Sequence, residues 1–421
     1  MNFYGDTIAP MFRSKWFKVL LGLVFVLLLA ILVYQIPAVN SRLGWRLDAL
    51  LTYFRVAMNP IEESPPALTP MMPMATETPQ ATPSFTPTDP GATATTSPTA
   101  TSIPDDITLE TPRWEKQDWN NCGPATLSMN LRYYGWGGDQ FDISELLKPE
   151  RADRNVNVEE LAFFVRTRAG WLNVQYRVGG SIELLKEFLA AGIPVIVEKG
   201  YQEEITYWPN DDRWAGHYLL LTGYDDTSQS FIAQDSFIGA DQIVEYQRVD
   251  DYWKTFNRVF MLIYPPTMEG IVKEILGMHW DVDFNREDAL ALSEVETENN
   301  PQDAYAWFNL GTNLVYFERY TQAAQAYDTA RTLGLPQRMF RYQFGPFLAY
   351  FHSGRTEELI ALSEYALRVT RNSEEALLWH GWGMYRQGDL ASAVEDFRAA
   401  YEANPYYQDT LYALDFLGVS P

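Results

Sequence analysis

Cysteine is almost missing from this chain of 421 residues, with Cys122 alone present. An intrachain disulfide is therefore excluded, and so is a cysteine-rich zinc site. Histidine is scarce as well: His217, His279, His352 and His380 are all there are. Few side chains remain for nucleophilic or acid–base work near neutral pH. Positive charge is short, with 32 Lys and Arg against 55 Asp and Glu, a formal net charge of −23. No basic stripe is available to track phosphates, which argues against a nucleic-acid partner. The acidic balance also disfavours contact with anionic lipid surfaces.

What is present divides the chain. Its length exceeds one compact core, so two or three folded units are expected. The longest apolar run, Val19 to Val33, is flanked by Trp16, Phe17 and Tyr34. It approaches the ~20 residues that cross a hydrocarbon core. Arg13, Lys15 and Lys18 precede it and favour a cytoplasmic N-terminus over 1–15. No small-x-small cleavage site is evident after it, so an uncleaved transmembrane helix is expected over 16–38. In the juxtamembrane segment 39–58, Leu43, Leu47, Leu50, Leu51 and Phe54 recur at helical spacing among Arg42, Arg46 and Arg55. This fits an interfacial helix or the end of the anchor. Residues 59–112 are rich in Pro, Thr, Ser and Ala. They bury too little to offset chain entropy and read as a disordered stalk. A Thr/Pro stalk after a signal anchor places the remainder of the chain outside the cytoplasm, in an extracellular setting tied to the cell membrane by one pass.

Cys122 lies in Gln117-Asp-Trp-Asn-Asn-Cys122-Gly-Pro-Ala-Thr-Leu. Leu127, Met129 and Leu131 then lead to Tyr133, Tyr134 and Gly135. The pattern predicts a helix of about three turns with Gly123-Pro124 in its first turn. Unpaired amides and the helix dipole at such an end stabilise an anion, lowering a thiol pKa. A lone cysteine is more often a small buried hydrophobe. The polar Asn120 and Asn121 before it, and a histidine downstream, favour a nucleophile.

That histidine is His217, opening the Leu-rich run His-Tyr-Leu-Leu-Leu-Thr-Gly-Tyr. The run reads as a buried strand. The next strand, Ser230 to Asp235, would return antiparallel and bring Asp235 to the imidazole. Asp225 and Asp226 are nearer in sequence but read as turn residues. Gln117 can offer a side-chain amide to an oxyanion alongside the Cys122 backbone N–H. An ordinary surface glutamine is the competing reading.

These residues, with Gly192-Ile-Pro-Val-Ile-Val197, Gly-His-Tyr at His217 and Gln-Asp-Ser at Asp235, carry a resemblance. They resemble the double-glycine (bacteriocin-leader) peptidase-like family of papain-fold cysteine peptidases. The resemblance implies a thiol hydrolase acting on a peptide or protein substrate without a cofactor or metal. Cys122 would be nucleophile, His217 base, Asp235 orienter and Gln117 oxyanion donor. In that family the glutamine usually stands six positions before the cysteine, which is Lys116 here. Family members that process leaders are typically fused to a transporter, and no transporter segment is present.

Around these residues, 113–268 fits a mixed α/β domain. Val158–Arg168 and Ile182–Ala191 read as helices, the second closed by Gly192. Residues 172–178, 194–198 and 258–264 read as strands. Lys199–Gly216 reads as a long aromatic, acidic loop that either shapes a cleft or is plain surface.

In 269–421, Leu310-Gly311, Ala323, Tyr327, Ala330 and Pro336 align with His380-Gly381, Ala393, Phe397, Ala400 and Pro405. A weaker middle copy has Tyr350, Leu359, Ser363 and Ala366. The interval is near the ~34 residues of a tetratricopeptide repeat. Three repeats and a capping helix over Tyr407–Leu417 are expected. The array is either a site for a protein partner or a scaffold. His279, His352 and His380 lack metal-ligand spacing and read as structural.

The expected fold is thus an α+β papain-like cysteine peptidase domain followed by an all-α tetratricopeptide-repeat array, behind an N-terminal transmembrane helix. The expected activity is cysteine-type peptide hydrolysis. The alternative is an inactive, membrane-tethered interaction scaffold.

Overall fold

The computed structural model describes residues 15–34, 37–58, 60, 64–67, 103–151, 153, 156–204 and 211–421. It forms two units, Met1–Pro60 and Ile61–Pro421. The expected stalk falls largely outside the described residues.

The first unit holds helices α1 (Lys15–Tyr34) and α2 (Pro37–Met58). Side chains from Val19 to Val33 are exposed along α1, where the described side chains begin. Among the described residues, no helix is long and apolar enough to cross a membrane. The transmembrane expectation for 16–38 therefore gains no support from the fold. The helical reading of the juxtamembrane segment matches α2, which leaves Leu50, Leu51 and Phe54 exposed.

The second unit begins with a sheet and the helices on its two faces. Its strands are β1 (Asp106–Thr108), β2 (Asn173–Arg177), β3 (Val195–Gln202), β4 (Trp214–Asp225), β5 (Ser230–Asp235), β6 (Gly239–Glu245) and β7 (Phe260–Tyr264). The order is β2-β7-β3-β4-β5-β6, with β1 paired to β4. Each of these pairings is antiparallel. β1 lies ahead of the expected domain start at 113, so the sheet reaches back into the segment read as stalk. The long β4 is buried along nearly its whole length, which suits a central strand covered on both faces.

One face is covered by α3 (Cys122–Tyr133), α4 (Gln140–Leu147) and α5 (Val158–Arg168). α3 approaches β4 closely at Gly123, where a Cβ would meet the Tyr218 ring at 3.3 Å. The other face is covered by α6 (Ile182–Ala190) and α7 (Tyr246–Trp253). There Leu185, Phe188 and Leu189 pack with Val195, Val197, Leu219, Leu221 and Trp253. The helices start on local signals: Asn157 and Glu160 form a capping box at α5, and the Ser181 hydroxyl caps α6. Gly192, at φ +82°, ends α6 as the sequence predicts.

The chain then becomes wholly helical: α8 (Glu269–Leu276), α9 (Val282–Asn299), α10 (Ala304–Tyr316), α11 (Tyr320–Leu333), α12 (Gly345–His352), α13 (Thr356–Val369), α14 (Glu374–Gln387), α15 (Leu390–Ala403) and α16 (Gln408–Phe416). The repeat alignment has a packing basis. A Cβ at Gly311 would meet the Tyr327 ring at 2.7 Å, and one at Gly381 would meet the Phe397 ring at 2.6 Å. The same small residue thus admits a ring at the same place in both copies, α10–α11 and α14–α15. In the middle pair, α12–α13, Tyr350, Leu359, Ser363 and Ala366 are all buried. The capping helix expected at 407–417 is α16.

Candidate active site

Cys122 is the first residue of α3 and is half-buried. Asn121, the residue before it, makes no side-chain capping bond. The first-turn amides are therefore left to other acceptors, and the Gly123 N–H is one that reaches the sulfur. The Tyr218 backbone N–H also reaches it, from β4.

His217 stands on β4, paired in register with Lys199 of β3. Its Nε2 lies 2.9 Å from Asp235 Oδ1. Both side chains are buried, at 7% and 6% exposure. Asp235 closes β5, and its Oδ1 also accepts from the backbone N–H groups of Phe237 (2.8 Å) and Ile238 (3.1 Å). Those bonds fix the carboxylate, and the carboxylate fixes the ring. With Nε2 committed to Asp235, Nδ1 is the nitrogen left for the hydrogen bond between the ring and Cys122.

The electrostatics favour an ion pair. Burial pushes the Cys122 thiol up, but the His217 hydrogen bond and charge, with the two backbone amides, bring it below its usual value. Burial alone would depress His217. The Asp235 charge and hydrogen bond, aided by Cys122, outweigh it and raise the imidazole to about 9. For Asp235, burial is likewise overcome by His217 and by the two backbone amides, and the carboxyl stays below its ordinary value. Both shifts favour the thiolate–imidazolium pair over the neutral pair, and the two groups titrate as coupled partners.

Gln117 is held against Ser236, the residue after Asp235. Its backbone N–H donates to Ser236 O at 2.8 Å, and its Oε1 accepts from Ser236 Oγ at 2.9 Å. With its carbonyl so engaged, the amide nitrogen is the end left for a ligand. Trp114 Nε1 donates to Asp235 O at 2.9 Å and pins the same turn. Asp225 and Asp226 sit apart from this cluster. Asp225 Oδ1 accepts from Thr227 N–H at 2.8 Å within the hairpin, and Asp226 pairs with Lys186 at 2.6 Å. The remaining histidines have structural surroundings: His279 beside Asn285, His352 stacked on Tyr320 at 4.2 Å, and His380 against Asp396.

Several neighbours escaped the sequence reading. The expected loop 199–216 is largely strand at its ends, because β3 runs to Gln202 and β4 starts at Trp214. His217 is thus the fourth residue of its strand, and the intervening 205–210 lie outside the described residues. Glu198 lines the Cys122 cleft with Val156 and Tyr218. Burial pushes its carboxyl well above the usual range, although Tyr218 hydrogen-bonds to it. A buried acid in a β-branched run is legible in hindsight; its neighbours are not. Tyr342, from the helical region, lines the same cleft. A Cβ at Gly216 would meet its ring at 3.0 Å, and Trp214 meets that ring edge-on at 5.5 Å. The turn that carries it is tied to the β3–β4 connection by Arg338–Glu203 (2.6 Å) and by Arg341–Asp211 (two bonds of 2.8 Å). Only the folded chain brings these segments together, so no local pattern signals them.

Residues 108–261 match the model described as the Peptidase_C39 like family. No curated protein matches the chain. Among solved structures, a C39-like peptidase from Bacillus anthracis shares 16% identity, covering 38% of this chain and 96% of that one, with a TM-score of 0.29. A double-glycine motif protease from an AMS/PCAT transporter, in complex with the leader peptide, shares 17% identity over 38% and 94%, with a TM-score of 0.28. The tetratricopeptide protein YrrB shares 21% identity over 32% and 70%, with a TM-score of 0.27. The resemblance first carried by the Cys-Gly-Pro motif is that of a Peptidase_C39-like domain, spanning residues 108–261 and followed by tetratricopeptide-type helices.

Proposed function

We propose that this chain is a membrane-anchored, extracytoplasmic cysteine peptidase in which Cys122, His217 and Asp235 act as a triad. The observation that carries the reading is one imidazole bonded on one side to Asp235 and on the other to the sulfur opening α3. The Cys122 thiolate attacks the scissile carbonyl carbon. The resulting oxyanion is met by the Gln117 amide and the Cys122 backbone N–H. The His217 imidazolium gives its proton to the leaving amine as the C–N bond breaks. Water then attacks the acyl-sulfur carbon, with His217 taking one proton, and the thiolate leaves. Asp235 keeps the ring oriented and favours its charged form throughout. No step needs a metal or organic cofactor.

Anchoring rests on the Val19–Val33 run and its exposure along α1, with basic residues ahead of it. The domain division is 113–268 catalytic, extended back to 106 by the pairing of β1 with β4, and 269–421 repeats. The repeats serve a peptide or protein substrate, because Tyr342 stands in the cleft wall beside Cys122. A thiol-reactive peptidyl probe tests the assignment. Labelling is expected in the native chain, absent in Cys122→Ala, and slowed ~100-fold in Gln117→Ala. A native chain that resists the probe across the whole pH range in which it stays folded, while labelling fully once denatured, would refute it.

A further inference from the structure

A second concentration of charge lies outside the Cys122–His217–Asp235 group. Asp153 comes after the turn that ends α4, Glu160 sits in the first turn of α5, and Glu374 and Glu375 open α14. Single oxygens from Asp153, Glu374 and Glu375 lie within 4.8 Å of one another. The three residues are 1%, 1% and 3% exposed. Glu160 faces the same group: burial, then the charges of Glu375 and Asp153, push its carboxyl well above the usual range.

Some of this charge is answered locally. Asn404 Nδ2 donates to Glu374 Oε1 at 2.9 Å and to Leu147 O at 3.1 Å. Ser373 Oγ donates to Glu375 Oε2 at 3.3 Å. Lys148 Nζ donates to the Asp153 backbone carbonyl at 3.0 Å and brings its charge near that side chain. Glu374 Oε2 is buried with no hydrogen-bond partner among the described residues. A carboxylate oxygen removed from water and left without a donor is costly, and proteins normally pair it or give it a metal.

We propose that Asp153, Glu374 and Glu375, with Glu160 adjoining, bind a hard divalent cation of the calcium type. The donors are all carboxylate oxygens, which suit calcium and not the nitrogen- and sulfur-seeking zinc or copper. Ca2+ holds oxygens at about 2.3–2.6 Å, so ligands across it stand ~5 Å apart. The oxygens of this trio, all within 4.8 Å of one another, are close enough to share one such ion. Magnesium is tighter and keeps several waters, which a buried trio does not favour.

The ion would clasp α14 of the repeats to the α4–α5 connection. That connection leads to Val156, whose carbonyl accepts from Tyr218 OH at 2.9 Å. Val156 and Tyr218 both line the Cys122 cleft. Cation binding is thereby coupled to the cleft wall, while standing independently of the triad.

The test uses the full chain in detergent, stripped with EGTA, desalted and titrated with CaCl2. Calorimetry should show one Ca2+ bound per chain, and Tm should rise with Ca2+ and return on chelation. Mg2+ should shift Tm less. In Glu374→Gln the binding heat and the Ca2+-dependent shift should vanish. Without Ca2+ that variant should be no less stable than the parent, because the amide removes a repulsion. A parent chain with no binding heat and no Ca2+-dependent Tm would overturn the proposal and leave protons as the neutralising agent. A Ca2+ response unchanged in Glu374→Gln would also overturn it. Neither readout involves peptide hydrolysis, so failure of the peptidase reading would leave this result intact.

Discussion

The sheet region and the helical array each hold a histidine–aspartate pair. In the sheet, His217 Nε2 meets Asp235 at 2.9 Å; in the array, His380 Nδ1 meets Asp396 at 2.8 Å. Both imidazoles are raised, His380 chiefly by its hydrogen bond to Asp396 and His217 by Asp235 against a large burial penalty. The pairs differ in what else the ring touches. His217 shares a hydrogen bond with the thiol at a helix N-terminus, whereas His380 lies within α14 of a chain that has no second cysteine. A carboxylate beside an imidazole is thus a stability device by itself. It becomes catalytic machinery when a nucleophile is held at the opposite nitrogen.

The largest effect that would break this contrast is loss of the sheet-region ring. His217→Ala should lower kcat/KM for a peptide substrate ~1,000-fold or more, while leaving the chain folded. Next is Asp235→Asn, which should cost less than loss of the whole ring and change the pH profile. In the proposed mechanism the active form needs imidazolium and thiolate together. The imidazolium is lost as pH rises through about 9, and the thiolate is lost as pH falls through a value below that of an ordinary thiol. Removing the Asp235 charge lowers the His217 pKa, so the alkaline limb should move to lower pH; a limb fixed near 9 in the variant would contradict the pairing.

A smaller effect sharpens the role of the array. Tyr342→Ala should raise KM several-fold with kcat nearly unchanged, since the ring lines the cleft wall. Equal loss of kcat would place it in the chemistry instead. The smallest effect is in the array's own pair. His380→Ala should leave kcat/KM unaltered and cost ~1 kcal/mol of stability by denaturant unfolding.

The sequence disclosed the elements whose cause is local. Gly123-Pro124 marks the start of α3, and so places Cys122 at a helix end. The run Leu219–Leu221 marks a central strand, and hairpin logic returns Asp235 to His217. The repeat pattern is visible because Gly311 and Gly381 must admit a ring at the same offset. Misplaced boundaries also have a local cause: Lys199–Gln202 and Arg213–Ala215 mix charge with aromatics and hide the β3–β4 extension. The edge strand β6, Gly239–Glu245, is too polar to stand out. Tyr342, the Arg341–Asp211 bridge and the Asp153–Glu374–Glu375 group depend on segments far apart in sequence meeting in space. No periodicity records such meetings.

A single measurement addresses the ion pair itself. Because Cys122 is the sole thiol, its alkylation rate by iodoacetamide can be followed against pH in the intact chain. Reactivity is expected to persist below the ~8.5 of a free thiol, with a profile that moves upward in His217→Ala. A profile centred at the ordinary thiol value and indifferent to His217 would contradict it.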